Sequence, residues 1–193
     1  MDSVTQIALG ASVCYAAIGP KIGKRALIIG GLVGTLPDLD VLVPYDDAVV
    51  SFTYHRSWSH SLFVLSAISW PVAWLVSRFM QKSTSDSITF GQWWWAIWLV
   101  LITHPLLDSF TIYGTQIWWP LATRPVATGS IFIIDPLYTI PLIIGGVIAW
   151  RSTHRQARRY VCAGLVASTA YLGWTLVAPV SYTHLTLPTI YSV

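Results

Sequence analysis

Hydrophobic residues are grouped in six stretches that shorter polar segments separate. The stretches run over about 4–18, 26–36, 61–79, 93–107, 131–150 and 160–180. Stretches 61–79, 131–150 and 160–180 reach roughly the 20 residues that a helix needs to cross the hydrocarbon core of a bilayer, whereas 93–107 and the first two are shorter. The pattern therefore predicts an all-α protein, a polytopic membrane helical bundle with about five or six membrane segments, of which the first two are short.

Glycine and proline mark the boundaries of the first two stretches. Gly19 and Pro20 follow the first stretch and predict that its helix stops there. The second stretch contains Gly30 and Gly34 and breaks at Pro37. Because both stretches are short, we expect them to form a tilted or partly inserted hairpin. The glycines would let the two helix backbones approach closely.

The basic residues lie mainly in three of the connecting segments. Nine of the 11 Lys and Arg residues are found there: Lys21, Lys24, Arg25, Arg78, Lys82, Arg151, Arg155, Arg158 and Arg159. Short loops rich in Lys and Arg face the cytoplasm in membrane proteins. The other connections carry most of the Asp and His residues and would face the opposite side, so a polar cluster is predicted near the outer interface.

The composition supports a membrane protein. Of the 193 residues, 54% are hydrophobic and 10% are charged, whereas soluble domains carry roughly 25% charged residues. Residues 1–180 are interpreted as one integral domain, because this length leaves no room for a separate soluble catalytic domain. The uncharged, Thr-rich segment 181–193 is predicted to be a non-native or disordered tail.

Charge and cysteine content exclude two other classes of protein. The net charge of +3 comes from residues that flank apolar stretches, which argues against nucleic acid as a partner. Cys14 and Cys162 both lie inside apolar stretches, so the chain has no disulfide framework and no paired cysteine ligands. A metal ion would have to be bound by imidazole and carboxylate groups.

Candidate metal ligands occur in three short segments near the predicted outer side. These are Pro37-Asp38-Leu39-Asp40, His55-Arg56-Ser57-Trp58-Ser59-His60 and His104-Pro105-Leu106-Leu107-Asp108. His104 and Asp108 are four residues apart, which places them on one face of a helix. Each ionisable group at membrane depth costs roughly 2.5–3.5 kcal/mol, so such groups usually have a function. The ligand types predict a divalent metal, most favourably zinc, with manganese and iron as alternatives.

Each segment also has a simpler explanation. A His and an Asp at this spacing often form only a hydrogen-bonded pair, two carboxylates near the end of a helix can simply terminate it, and His55 and His60 can be solvated in a loop. The gathering of several imidazoles and carboxylates at one depth is what favours a metal site.

The same segments carry a resemblance to a known family. The matching stretches are Met1-Asp2-Ser3-Val4-Thr5-Gln6-Ile7-Ala8-Leu9-Gly10, Gly34-Thr35-Leu36-Pro37-Asp38-Leu39-Asp40, His55-Arg56-Ser57-Trp58-Ser59-His60-Ser61, Thr103-His104-Pro105-Leu106-Leu107-Asp108 and Ile134-Asp135-Pro136-Leu137-Tyr138. Over about residues 1–150 the chain resembles the bacterial family of inner-membrane metal-dependent hydrolases, one member of which is regulated by LexA. Many members of that family have a histidine where this chain has Gln6.

The resemblance implies a metal centre in the bacterial inner (cytoplasmic) membrane, with the site near the periplasmic face. The implied ligands are Asp38 or Asp40, His55, His60, His104 and Asp108, with Asp135 close by. We assign Asp40 as the carboxylate ligand of the first segment and keep Asp38 and Asp135 as candidate catalytic residues. Either of these two carboxylates could act as a general base or orient a ligand imidazole.

A divalent metal with an open position favours hydrolysis by an activated water molecule. Arg56 and Arg124 are the basic residues on the predicted outer side. They are candidates to bind an anionic substrate group such as phosphate, or else they only extend toward the interface. Expected partners are membrane lipid and a small-molecule or lipid-linked substrate. The alternatives are a metal or proton transporter, or a non-enzymatic membrane protein whose polar cluster ties helices together.

Overall fold

The structure is a computed structural model that describes residues 1–42, 56–81, 88–122, 124–152 and 154–190, and its main secondary-structure elements are helices. The α-helices are α1 (Ser3–Ile22), α2 (Lys24–Gly34), α3 (Leu62–Gln81), α4 (Phe90–Asp108), α5 (Pro136–Arg151) and α6 (His154–Ile190). Two 3-10 helices cover Pro37–Leu42 and Trp58–His60. Within these ranges the β-structure is limited to an isolated bridge between Thr115 and Val126. The prediction of an all-α protein is confirmed.

Helix α1 runs past the predicted stop. Pro20 lies inside its last turn, and the helix ends at Ile22 with Gly23 at a φ of 64°. A proline has no N–H, so Pro20 leaves the carbonyl of Ala16 without its usual donor. The Nε of Arg158 donates to that carbonyl instead, at 3.0 Å. The predicted helix stop was wrong because a residue distant in sequence replaces the missing hydrogen bond.

Helix α5 begins later than the hydrophobic pattern indicates. The stretch starts near residue 131, but the helix begins at Pro136 with Asp135 as its N-cap. The Asp135 carboxylate accepts hydrogen bonds from the backbone N–H groups of Leu137 and Tyr138, at 3.0 and 3.3 Å. An Asp cap followed by Pro in the first turn is a strong start signal, which overrides the apolar residues before it.

Helices α1 and α2 pack with their backbones almost in contact. A Cβ atom on either Gly10 or Gly30 would overlap the carbonyl oxygen of the other, and one on Gly34 would lie 2.9 Å from the carbonyl oxygen of Gln6. The close approach expected from the glycines is therefore present. It fixes the C-terminal end of α2, where Gly34 lies, against the first turns of α1.

Gly30→Ala should destabilise this hairpin. The added methyl group meets backbone atoms that no rotamer change can move away, so we expect a cost of about 1–3 kcal/mol and a lower midpoint of thermal unfolding. Gly146→Ala in α5 is the matched control, because its Cβ would have no neighbour within 4 Å among the described residues. Equal midpoints for the two variants would contradict the close packing.

The six α-helices form three consecutive pairs, α1–α2, α3–α4 and α5–α6, with α1 also packed against α4, α5 and α6. Trp94 and Trp98 of α4 donate through their indole N–H groups to Ser69 and Ser66 of α3, both at 3.0 Å. In the α5–α6 pair, a Cβ on Gly164 would lie 2.5 Å from the carbonyl oxygen of Pro141. The helices within these pairs are thus joined by close backbone contacts and by indole hydrogen bonds.

Two of the described helices are long and apolar enough to cross a membrane. They contain Leu62–Met80 and Gln156–Ala178, and only 22% and 28% of their most apolar windows are buried. Most of their apolar side chains therefore face outward, which suits a lipid environment. Pro136–Arg151 is apolar but shorter. The prediction of five or six membrane segments is not confirmed, because two of the described helices combine the length and the hydropathy that a membrane span needs.

Apart from Arg56, which lies beside Asp108, the basic groups named below lie at the end of the bundle opposite the acidic groups. At one end, Lys21 donates to Gln92 at 2.8 Å and the Lys24 ammonium lies 5.3 Å from the Trp150 ring centroid. The other end contains the start of α1, the end of α2, the end of α4 and the two 3-10 helices. We call these the basic end and the acidic end, and the candidate site lies at the acidic end.

Candidate metal centre

Four side chains converge at the acidic end: Asp38, His60, His104 and Asp108. Each offers one ligand atom, and these atoms all lie within 4.8 Å of one another. They come from both 3-10 helices and from the last two turns of α4. The side chains of His60, His104 and Asp108 are buried, whereas that of Asp38 is 24% exposed. We call these four residues the metal group, and Asp38 marks its open side.

The spacing within the metal group resembles that of ligands around one cation. The two Nε2 atoms of His60 and His104 are 3.2 Å apart. Asp38 Oδ1 lies 3.4 and 3.3 Å from them, and Asp108 Oδ2 lies 3.3 and 3.7 Å from them. Four ligands arranged tetrahedrally at about 2.0–2.2 Å from a metal are about 3.3–3.6 Å apart. The arrangement therefore fits a small divalent ion.

The His104 ring is held so that its Nε2 faces the group. Its Nδ1 lies 2.7 Å from the carbonyl oxygen of Gly34, at the end of α2 where the last carbonyls of a helix have no partner within the helix. A carbonyl can only accept, so Nδ1 must carry the proton. In the neutral ring Nε2 then has a lone pair directed at the metal group.

His60 is oriented by a chain of two hydrogen bonds. The Ser59 hydroxyl donates to Asp40 Oδ2 at 2.7 Å and lies 2.9 Å from His60 Nδ1. Since the single hydroxyl proton is used by the carboxylate, Ser59 accepts from Nδ1–H. The Nε2 lone pair of neutral His60 therefore faces that of His104. Their repulsion at 3.2 Å is relieved only by a proton or a cation between them.

The surroundings of the Asp108 carboxylate show whether the group is suited to a metal. Its Oδ1 accepts from Gln6 Nε2 at 3.0 Å and contacts the ammonium group of Met1. Its Oδ2 is buried, points at the two imidazoles and has no hydrogen-bond partner among the described residues. A buried carboxylate oxygen without a partner is costly, and a cation in the group would satisfy it. The donor set and its geometry fit a metal.

The electrostatics of the group also favour a cation. Burial alone would raise the pKa of Asp38, but the hydrogen bonds and charges of His104 and His60 outweigh burial and hold that pKa well below its usual range. Burial alone would lower the pKa of His60, but Asp108 and Asp38 outweigh it and raise that pKa above its ordinary value. The carboxylates thus remain ionised and attract positive charge to the imidazole nitrogens.

Comparison with known proteins identifies a family that matches most of the chain. A family model described as YdjM inner membrane protein matches residues 1–182. This chain belongs to the YdjM inner membrane protein family. That family is the LexA-regulated, membrane-associated, hydrolase-like family, so the resemblance found in the sequence is confirmed.

The YdjM-family chain is also similar to a curated relative, "Uncharacterized protein YfhP" of Bacillus subtilis (strain 168). The two are 27% identical over 147 residues, which is 72% of this chain and 43% of the relative. The chain therefore spans less than half the length of that relative. No solved structure matches the chain.

Some of the site residues predicted for this YdjM-family member lie close together in the structure, and others do not. It brings together Asp38, His60, His104 and Asp108. Asp40, predicted as a ligand, does not join the group, because its carboxylate accepts from Ser59 and from the backbone N–H of Arg56, at 2.7 and 3.1 Å. Asp38, predicted as a catalytic residue, is one of the four converging side chains. His55, also predicted as a ligand, lies outside the described residues.

Asp135 has a structural position away from the metal group. Besides capping α5, it accepts a hydrogen bond from the Tyr171 hydroxyl at 3.0 Å. Both of its carboxylate oxygens are therefore used within the bundle. The general-base role predicted for it is not supported by this geometry, because the residue lies outside the group of converging ligand atoms.

The two arginines predicted to bind substrate differ in position. Arg56 is largely buried, its Nε lies 3.6 Å from Asp108 Oδ2, and its guanidinium lies 5.9 Å from the Tyr113 ring centroid. Its φ is 63°, a backbone conformation that is strained for a residue other than glycine. Arg124 is exposed. Only Arg56 is beside the metal group in the described part of the chain.

Two supporting groups were not identified from the sequence. Ser59 precedes His60 directly and Gly34 ends α2, yet neither was given a role. The position of Ser59 between an Asp-rich segment and a candidate ligand was the available signal, since ligating imidazoles almost always have a partner on the second nitrogen. The role of the Gly34 carbonyl could not be identified from the sequence, because every residue type has a backbone carbonyl.

Ser59→Ala should weaken metal binding without removing a ligand. Without the hydroxyl, the hydrogen-bond chain from His60 Nδ1 to Asp40 is broken, and loss of such a support typically costs about 10–100-fold in affinity. Titration against a chelator measures the change. Ser61→Ala is the control, because Ser61 donates to Trp119 and does not contact the metal group; equal weakening in both variants would refute the assignment.

Proposed function

We propose that this chain is a membrane-embedded, metal-dependent hydrolase whose metal is held by His60, His104 and Asp108, with Asp38 at the open side of the metal group. The observation that carries the proposal is the convergence of four ligand atoms within 4.8 Å of one another. Membership of a hydrolase-like inner membrane family agrees with it.

Zinc is the metal we propose, with manganese and iron as alternatives. The two imidazole Nε2 atoms are 3.2 Å apart and the facing carboxylate oxygens lie 3.3–3.7 Å from them, which suits the short bonds and low coordination number of zinc. A divalent ion in this group would supply a Lewis acid and would lower the pKa of a water molecule at an open position.

Residues of the chain would orient the metal, accept a proton and bind the substrate. His60 and His104 are fixed by their Nδ1 partners and hold their Nε2 atoms in place. Asp38 lies at the open side, where its carboxylate can accept the proton of the attacking water. Arg56 adds a positive charge beside Asp108, positioned to bind an anionic group of the substrate.

These features favour a phosphoester substrate, either a small molecule or one linked to a membrane lipid. An arginine next to a metal is a common arrangement for phosphate, because both stabilise charge on its oxygens. The outward-facing apolar surfaces of α3 and α6 favour membrane lipid as a surrounding partner and a substrate that is reached from the membrane.

The proposal is tested by activity that depends on the metal. Protein purified in detergent is assayed against a panel of soluble and lipid-linked phosphoesters, before and after removal of metal by a chelator and after its return. Hydrolysis that disappears with the metal, returns with it and is absent in Asp38→Ala would support the proposal. Metal-stimulated ion flux in proteoliposomes, with no hydrolysis of any panel member, would favour a transporter and overturn it.

We also propose a multi-pass orientation with the site at the periplasmic face of the inner membrane. Short segments with Lys and Arg occur at the basic end, and such segments stay in the cytoplasm. Reporter proteins fused after residue 82 and after residue 123 should report cytoplasm and periplasm, respectively. The opposite pattern would place the site on the cytoplasmic side.

A further inference from the structure

A large apolar groove lies between α1, α4 and α6, away from the metal group. Its volume is about 960 Å³, near the upper end of the roughly 300–1,000 Å³ that ligand pockets occupy. The walls include Leu9, Val13, Leu99, Leu165 and Leu172. Nothing in the proposed hydrolysis uses this groove.

The groove follows most of the length of α4. Its wall reaches from Gln92 near the start of α4 to Phe110, just beyond its end. At a rise of 1.5 Å per residue this corresponds to about 27 Å, close to the thickness of the hydrocarbon core. Because α6, one of the two membrane-capable helices, forms a wall, the groove lies at the depth of lipid acyl chains.

Positive charge is fixed at one end of the groove. Arg158 lines the groove and also a smaller adjoining cavity of about 480 Å³ that Arg159 and Pro20 help to form. The Arg158 Nε is held by the Ala16 carbonyl that Pro20 leaves without a donor. The terminal nitrogens of Arg158 make no hydrogen bond within the described part of the chain.

No described carboxylate lies near this charge to neutralise it. The acidic residues of the described ranges, all at the acidic end of the bundle, are Asp2, Asp38, Asp40, Asp108 and Asp135. Lys21 adds a further cation beside Gln92 of the groove wall. An apolar groove of membrane depth that ends in clustered cations complements a molecule with an apolar chain and an anionic head.

We propose that the groove binds an anionic phospholipid of the surrounding membrane, with an acyl chain along α4 and the phosphate at Arg158 and Arg159. This site is separate from the metal group, since His104 and Asp108 project from α4 toward α1, α2 and the 3-10 helices. The proposal therefore stands independently of the proposed hydrolysis. The lipid would act as a bound structural partner that fills the space between α1, α4 and α6.

Lipid retention by the purified protein tests the proposal. The wild-type protein is reconstituted in nanodiscs that contain phosphatidylcholine and a minor fraction of phosphatidylglycerol, extracted in mild detergent and examined by native mass spectrometry. We expect phosphatidylglycerol to be retained in preference to phosphatidylcholine. The double variant Arg158→Gln/Arg159→Gln should reduce that preference at least about tenfold, since each basic residue near an anionic surface contributes about 1 kcal/mol. Arg151→Gln, an exposed basic residue outside the groove lining, should leave it unchanged.

A second pair of variants tests the acyl-chain part without changing any charge. Leu165→Trp would fill the groove, whereas the adjacent Val166 is 67% exposed, so Val166→Trp would project away from it. We expect lipid retention to be lost in the first variant and kept in the second, with both still eluting as folded protein in gel filtration. Equal retention of the two lipid types by wild-type protein, or unchanged retention in the double arginine variant or in Leu165→Trp, would overturn the proposal.

Discussion

Alanine in place of either His60 or His104 should remove the metal from the purified protein. Each change deletes one of two imidazole nitrogens that lie 3.2 Å apart and leaves one imidazole beside the buried carboxylate of Asp108. Loss of a residue that only supports a ligand typically lowers metal affinity about 10–100-fold. We expect loss of either imidazole to lower the metal affinity by more than this. Elemental analysis after gel filtration should give about one metal per wild-type chain and only background for both variants.

Asp135→Asn is the matched control for this experiment. It changes a carboxylate of the acidic end that lies outside the metal group and caps α5. Asparagine caps a helix about as well as aspartate, so α5 should remain capped, and the metal content should remain that of the wild type. A full complement of metal in both histidine variants would reject the proposed ligands, and loss of metal in Asp135→Asn would return that residue to the site.

The proximity of His60, His104 and Asp108 could be predicted from the sequence. In an antiparallel helix pair, the start of the first helix lies at the same end of the bundle as the end of the second helix. His60 precedes α3, and the other two end α4. The spacing of four residues between His104 and Asp108 then fixed their common face. The family resemblance added the order of the segments and the ligand types.

The choice between Asp38 and Asp40 could not be predicted in the same way. Residues two apart in a 3-10 helix of three residues per turn point about 240° apart, so only one of them can face the imidazoles. Asp38 faces them, and Asp40 turns toward Ser59 and the backbone of Arg56. Without knowledge of this short 3-10 helix, an alternating pair of carboxylates leaves both assignments open.

Asp135 shows how a local signal can outweigh a pattern of clustered charges. Asp135 precedes a proline at the start of an apolar stretch, which is a typical position for an N-cap. In the structure it is the N-cap of α5. The end of α1 shows the reverse, since the local stop at Pro20 is overridden by Arg158, which lies 138 residues further along the chain and donates to Ala16. Tertiary contacts of this kind have no signature in a single sequence.

Replacing Arg56 by glutamine should weaken phosphate binding about 10–100-fold and leave the metal in place. Its buried Nε and Nη1 atoms have no hydrogen-bond partner among the described residues, and Asp108 Oδ2 is 3.6 Å away. An anion bound beside the metal group would satisfy these donors. Hydrogen bonds to a charged group contribute about 1.5–3 kcal/mol each, and every 1.4 kcal/mol is tenfold in affinity. Calorimetric titration of the metal-loaded protein with inorganic phosphate measures the change.

Two further variants distinguish a substrate-binding role from a structural one. Arg124→Gln removes an exposed guanidinium and should leave phosphate affinity unchanged. Arg56→Lys keeps the charge but loses the planar pair of donors, so it should recover only part of the affinity. If Arg56→Gln binds phosphate as the wild type does, the residue does not contact the substrate. If the same variant loses its metal, Arg56 acts by holding Asp108 in the metal group, because removal of a mere substrate contact leaves the residues that hold the metal in place.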